Sequence, residues 1–272
     1  MLHFDNVGFS YGRGGGKPGT LGGICFRLEK GEFAALIGEN GAGKSTLARL
    51  CNGLLKPDSG RVTAAGMDTR HVKTSRIARK LGFLFQNPDR QICCNTVREE
   101  ILFGLNAIMG DEEAAKMKEE RLNEMLELFG LPGDGDPFSM SRGERQQIAL
   151  ASVLAVKPEL LILDEPTTGL DYRECVNIMG IISRLHREGA TILMISHDME
   201  LVADYAERAL VLSGGKLTGN LSVKELMKNR PLLEAASLLP AQIPALAMAL
   251  GEGFEDVYTI DEMTEAVRER LA

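Results

Sequence analysis

An α/β fold with a largely parallel sheet is predicted by three observations. Residues 160–164 and 190–196 are continuous apolar runs without polar alternation, the mark of strands buried on both faces. Helical stretches at 141–155 and 172–188 alternate with these runs, so the strands are joined by crossovers and covered by helices on each side. Leu36-Ile37 closes an apolar run, a glycine-rich stretch from Gly38 to Gly43 follows, and a helical pattern starts at Lys44. Strand, glycine loop and helix thus come first along the chain.

The remaining elements follow in order. Residues 2–11 alternate crudely, and 26–38 gives two short strand-like runs divided by the turn pair Lys30-Gly31. The glycine-dense segment 12–23 between them reads as loop. A helix over 44–55 stops before Pro57, a strand follows at 60–66, and a buried strand over 81–86 ends at Asn87-Pro88. From about 88 to 155 the text is helical. Met117, Leu122, Met125, Leu126 and Phe129 are spaced as the apolar face of a helix over 112–129, with the methionines as core filler. Residues 208–217 form a strand turning at Gly214-Gly215, and past Arg230 short helices are broken by Pro240, Pro244, Gly251 and Gly253. One large unit over 1–230, with a helical subdomain at about 88–155, and an appended helical extension over 231–272 are expected.

Composition narrows the function. The 272 residues carry 31 Lys and Arg against 38 Asp and Glu, a formal charge of −7, which argues against a broad nucleic-acid surface. Hydrophobic residues at 44% support a substantial core. The cysteines at 25, 51, 93, 94 and 175 form no C-x-x-C pair. Neighbouring thiols such as 93 and 94 rarely share one metal, so all five read as free packing residues in a reducing compartment. No apolar run approaches the roughly 18 to 20 residues that span a bilayer, and the N-terminus lacks a signal-peptide layout; a soluble cytoplasmic chain is expected.

Gly38 to Ser45 fits G-x-x-x-x-G-K-[ST] between a strand and a helix, the context that gives the motif its meaning. Backbone N–H groups of Gly38, Asn40, Gly41, Gly43, Lys44, Ser45 and Thr46 are expected around the phosphates of ATP. Lys44 reaches the β/γ-phosphates, and the Ser45 hydroxyl is offered to Mg²⁺. Asp164 and Glu165 end a buried strand, where open α/β sheets place ligands. Asp164 then serves the magnesium shell, and Glu165 polarises a water for in-line attack.

Ser139-Met140-Ser141-Arg142-Gly143-Glu144 lies between these two motifs and resembles the signature of ABC transporter ATPases, usually Leu-Ser-Gly-Gly-Gln. Met140, Arg142 and Glu144 depart from that pattern. Ser141 and Glu144 nonetheless fit a helix capping box, leaving the Ser141 hydroxyl and Gly143 N–H available to a γ-phosphate. The resemblance extends along residues 4–213. It implies that Tyr11 stacks on adenine, that Gln86 is the Q-loop glutamine touching nucleotide and magnesium, that Gly169-Leu170-Asp171 is the D-loop, and that His197 is the switch histidine, catalytic beside Glu165 and Lys44. It further implies a RecA-like parallel-sheet core with an N-terminal antiparallel β region, and ATP sandwiched between two such subunits.

Phe85 to Ile92 resembles the Q-loop of ATPases from energy-coupling factor (ECF) and cobalt or nickel importers, and Leu239-Pro240 through Leu246 is similar to their tail. The resemblance implies an ATP-hydrolysing subunit on the cytoplasmic membrane face that energises uptake of a vitamin or transition-metal ion. Its partners would be a second ABC ATPase, homo- or heterodimeric, a transmembrane coupling subunit whose arginine Asp89 receives, and a substrate-binding membrane subunit, with no nucleic acid. Two rivals stand beside this reading. A soluble ABC ATPase acting on ribosomes or DNA would carry long coiled coils or a second cassette, neither of which this sequence contains. A P-loop small-molecule kinase would leave the signature and His197 unexplained.

Overall fold

The computed structural model describes residues 1–12, 20–109, 115–254 and 256–271. Its strands are β1 (Leu2–Phe9), β2 (Leu21–Leu28), β3 (Phe33–Ile37), β4 (Ser59–Ala64), β5 (Met67–Asp68), β6 (Leu81–Leu84), β7 (Leu160–Asp164), β8 (Thr191–Ile195), β9 (Arg208–Ser213) and β10 (Lys216–Ser222). A six-stranded sheet runs in the order β10-β9-β3-β8-β7-β6. All its pairings are parallel except the β9/β10 hairpin. A second sheet, β2-β1-β4-β5, is antiparallel.

The central strands face two cores, as their unbroken apolar runs require. Phe33, Ala35, Ile37, Leu161, Leu163, Ile192 and Met194 point to one side. Ala34, Leu36, Leu160, Ile162, Leu193 and Ile195 point to the other. The first core is covered by α3 (Val97–Ile108), α5 (Arg142–Leu154) and α6 (Tyr172–Arg187). The second is closed by α1 (Lys44–Cys51) and the antiparallel sheet, so burial of both faces fixes register throughout the sheet.

Between β5 and β6 lies the short α2 (Thr74–Ile77), and between α3 and α5 lies α4 (Ala115–Phe129). The chain continues through α7 (Met199–Tyr205), α8 (Val223–Lys228), α9 (Arg230–Ala235), α10 (Gln242–Leu250) and α11 (Ile260–Leu271). Leu233, Ala236, Leu238 and Ala241 join the first core, whereas Ala247, Phe254, Val257 and Met263 make a small core of their own.

Several boundaries differ from the sequence reading. Leu21, Gly22 and Gly23 belong to β2 instead of a loop. Gly23 has φ 65° beside an irregular register with β1, and the Gly22 N–H donates to the Gly215 carbonyl at 2.9 Å, so edge pairing overrides glycine's weak strand propensity. Residues 13–19 of the expected loop, and 112–114 of the expected helix, lie outside the described residues. Helix α1 ends at Cys51, where Gly53 at φ 73° turns the chain before Pro57 can act. Strand β6 stops at Leu84, two residues early. Met117 is 50% exposed and not core. Pro244 sits in the first turn of α10, where its missing N–H costs nothing, and so does not break the tail.

Candidate active site

The glycines after β3 shape an anion-sized loop. A Cβ on Gly38 would stand 1.9 Å from the Leu212 carbonyl oxygen, and its φ of 145° is one that side chains avoid. Gly43, at φ 105°, occupies the N-cap of α1, whose first turn receives no side-chain cap. Helices α3, α5, α6 and α8 each begin with a capping box. The N–H groups opening α1 are therefore left for a ligand, reinforced by the helix dipole. Lys44 is buried, and its Nζ donates to the carbonyls of Gly38 at 2.7 Å and Glu39 at 3.0 Å. Burial holds its pKa below the ordinary lysine value, against the opposing pull of Glu165, Asp164 and Glu39. On the outer side the Tyr11 hydroxyl meets Thr46 Oγ1 at 3.2 Å. The half-exposed Tyr11 ring is set edge-on to Phe9.

Strand β7 delivers two carboxylates with opposite environments. Asp164 is buried and accepts a hydrogen bond from the Ser45 hydroxyl. Desolvation, with Glu165 adding to it, pushes its pKa up against that bond and the pull of Arg49 and Lys44. Glu165 turns away at φ 50°, a left-handed conformation costing about 1–2 kcal/mol for a residue with a Cβ. Its side chain is held on every side: Gln86 Nε2 and Thr168 Oγ1 each donate to Oε2 at 2.8 Å, and His197 Nδ1 lies 3.0 Å from Oε1. Burial would raise its pKa, but Thr168, His197 and Gln86 outweigh it, and the carboxylate stays below the usual range.

These shifts carry a stability consequence. A folded-state pKa raised at Asp164 means that stability is lost as pH climbs from the unfolded value of about 3.9 through the folded one. Asp164→Asn keeps an acceptor for Ser45 and removes that loss. In thermal melts without nucleotide, the variant is expected to be at least as stable as wild type at neutral pH, with a flatter acid-to-neutral profile. A variant whose melting temperature falls from pH 4 to neutral pH as much as that of wild type, or more, would remove the assignment.

Gly38, Asn40, Gln86, Glu165, His197 and, from the tail, Leu239 line one cleft of about 700 Å³. Ser141 and Gly143 do not line it. They open α5, where Ser141 Oγ accepts from Glu144 N at 3.2 Å and Ser141 N donates to Glu144 Oε2 at 2.8 Å, the capping box its spacing predicts. A Cβ on Gly143 would fall 2.0 Å from Glu174 Oε1, and Arg142 packs over Gly169 at φ 79°. Glu174 in turn bonds the Asp171 N–H at 2.9 Å. The start of α5 and the segment 169–171 are thus one packed unit.

Residues 21–168 match the family described as ABC transporter. The chain belongs to the ABC transporter family. It is 41% identical over 261 residues to the energy-coupling factor transporter ATP-binding protein EcfA of Methanothermobacter thermautotrophicus, covering 94% of this chain and 82% of that one. Among solved structures it is similar to cbiO1 from Clostridium perfringens, part of the ABC transporter complex cbiONQ. There the TM-score is 0.75 and the identity 28%, over 92% of this chain and 98% of that one. It is also similar to the ATP-binding cassette MJ0796, a dimer in a post-hydrolysis state bound to ADP and Pi. The TM-score is 0.74 and the identity 26%, over 82% and 99% of the two chains. Against three putative ABC transporter ATP-binding proteins, 40–42% identical, this chain spans only 41–43% of their length.

Within this ABC fold, Lys44, Ser45, Asp164, Glu165, Gln86 and His197 come together. Gln86 reaches Glu165 and not the Ser45–Asp164 pair. Ser45 and Asp164 supply adjacent hard oxygen donors, a fit to Mg²⁺. Two contributors escape a sequence reading. Thr168 fixes Glu165 from three residues on, hydroxyl to carboxylate. Arg145 Nε lies 2.8 Å from Asp89, which is 56% exposed in its side chain, and Arg145 also donates to the Met140 carbonyl. With Gln91 Nε2 donating to the Ala149 carbonyl at 3.0 Å, the loop over 85–92 is tied to α5. Nothing in the spacing of Asp89 and Arg145 announces that pairing.

Proposed function

We propose that this chain is the ATP-binding and hydrolysing subunit of an ECF-type importer for a vitamin or a transition-metal ion. One observation carries the hydrolytic part: an ionised Glu165, gripped by Gln86, Thr168 and His197, shares a cleft with Gly38 and Asn40 of the glycine loop, and its charge is felt by Lys44 at the end of that loop. Lys44 would exchange its carbonyl partners for β/γ-phosphate oxygens, and the open N–H groups of α1 would take the remaining negative charge. Glu165 would accept a proton from the attacking water, with His197 holding the carboxylate in place and facing the γ-phosphate. Ser45 and Asp164 would hold Mg²⁺, which supplies charge neutralisation on the phosphates when bound. Tyr11 would offer its ring to adenine. In this reading 1–230 is the ATPase unit and 231–272 its helical extension.

Ser141 and Gly143, away from their own cleft, would meet ATP held by a second ABC ATPase subunit, identical or not. The dimeric form of the MJ0796 cassette supports this arrangement. Ser141→Arg is expected to abolish ATP-driven dimerisation in light scattering while ATP affinity of the single subunit stays within about twofold. Equal dimerisation of variant and wild type would overturn the sandwich.

The importer assignment is supported by the likeness to EcfA and to cbiO1 of the cbiONQ complex, and by the loop over 85–92. Among the described residues no helix is long and apolar enough to cross a membrane, so membrane subunits would supply both the channel and the substrate site, with this chain peripheral on the cytoplasmic face. Asp89 already holds Arg145. A basic coupling helix would add to that pair, whereas Asp89→Arg would set two guanidinium groups against it. Purification from native membranes is expected to bring down an integral membrane protein with wild type and several-fold less with Asp89→Arg. Recovery of ribosomes or DNA without a membrane partner would favour the soluble rival.

A further inference from the structure

Cys93 and Cys94 follow the loop over 85–92 and take no part in the nucleotide cleft. Cys51 is buried, as a packing thiol should be, but Cys93 is exposed and Cys94 only partly covered. Packing therefore does not account for this pair. Successive side chains diverge in a strand; residues 93 and 94 lie instead outside any strand, with Cys94 opening a bend that leads to the Thr96 cap of α3, where both can turn the same way.

Glu100, in the first turns of α3, is the third member of the group. It is 3% exposed, and its Oε2 accepts from the N–H of Cys93 at 2.9 Å and of Cys94 at 3.0 Å. The Cys94 thiol hydrogen-bonds both this carboxylate and the Cys93 thiol. Among the described residues no cationic side chain pairs with Glu100, whose charge is met by two backbone N–H groups and a thiol. One ligand atom from each of the three side chains lies within 4.8 Å of the others.

We propose that Cys93, Cys94 and Glu100 form a binding site for a thiophilic d¹⁰ divalent cation of the zinc or cadmium kind, with a fourth position open to water. Such ions take mixed thiolate and carboxylate ligands in tetrahedral sets, and thiolates select them over the hard ions suited to Ser45 and Asp164. Binding is a ligand exchange without redox change. Two S–H bonds break, two sulfur–metal bonds form, the Glu100 carboxylate supplies the third ligand, and both protons leave to solvent. Because both thiols give up a proton on binding, the affinity must fall as pH is lowered. The bound ion would join the end of the loop over 85–92 to α3.

The test is a titration of the full reduced chain, without nucleotide, using Cd²⁺. Thiolate-to-cadmium charge-transfer absorption and proton release into weakly buffered solution are followed together. One ion per chain and about two protons per ion are expected. Cys93→Ser and Cys94→Ser should each weaken binding at least about tenfold, and Cys25→Ser should leave it unchanged. Glu100→Gln retains an acceptor for the two backbone N–H groups and should weaken binding while keeping the absorption band. Cys93→Ser alters an exposed position, so loss of folding is not at issue there. Equal cadmium affinity in wild type and in the Cys93→Ser, Cys94→Ser double variant would overturn the site.

Discussion

Lys44→Ala is expected to lower ATP affinity by about a hundredfold or more, below detection in a calorimetric titration, with the fold intact. The lysine ammonium is buried and already desolvated, held by the Gly38 and Glu39 carbonyls inside the loop it would serve. Its hydration cost has been met in folding, so its bonds to phosphate are worth about 1.5–3 kcal/mol each. Loss of two such bonds accounts for the hundredfold. Folding should change little, because the variant also removes a buried cation whose pKa burial depresses. A melting temperature close to wild type, together with undiminished ATP affinity, would overturn the assignment of the loop.

What the sequence reveals and what it hides divides along physical lines. Residues 160–163 and 192–195 are apolar at every position because each face of the sheet meets its own core, and that pattern is local and readable. The glycine loop is equally local: Gly38 and Gly43 are demanded by close approach and positive φ within a few residues of Lys44. The Ser141–Glu144 box is a four-residue pattern and forms as its spacing predicts. Leu21 to Gly23 pair in a strand only because β1 and the Gly215 carbonyl are waiting for them, and composition alone favours loop. Met117 keeps helical spacing yet faces solvent, since periodicity cannot say how wide the buried stripe is.

The site shows the same division. Gln86, Thr168 and His197 converge on Glu165 from three separate segments; two carry recognisable motifs, and Thr168 does not. The ion pair of Arg145 with Asp89 spans two segments with no shared pattern. Glu174, which fills the space beside Gly143 and caps Asp171, is visible only once α5 and α6 are docked. Long-range partners of this kind are set by packing, and single-sequence reading has no access to them.

Glu165→Gln is expected to cut steady-state ATP hydrolysis by about 10²–10⁴-fold, the usual range for a general base, while ATP binding persists. The amide has the carboxylate's shape, so one oxygen can still accept from Thr168, and the left-handed backbone at φ 50° is undisturbed. What is lost is the capacity to take a proton from water. The three donors that hold the carboxylate ionised below the ordinary glutamate range also fix the pH behaviour of wild type. A base with a depressed pKa stays competent as pH falls, so this group should cause no loss of rate until pH drops below the ordinary glutamate range. In the variant, ATP bound without turnover should trap the closed pair of subunits, read as a dimer in light scattering with Mg-ATP. Phosphate release near the wild-type rate, with no trapped dimer, would reduce Glu165 to a strand-end carboxylate and leave the proton of the attacking water to another group in the cleft, such as the His197 imidazole 3.0 Å from Glu165.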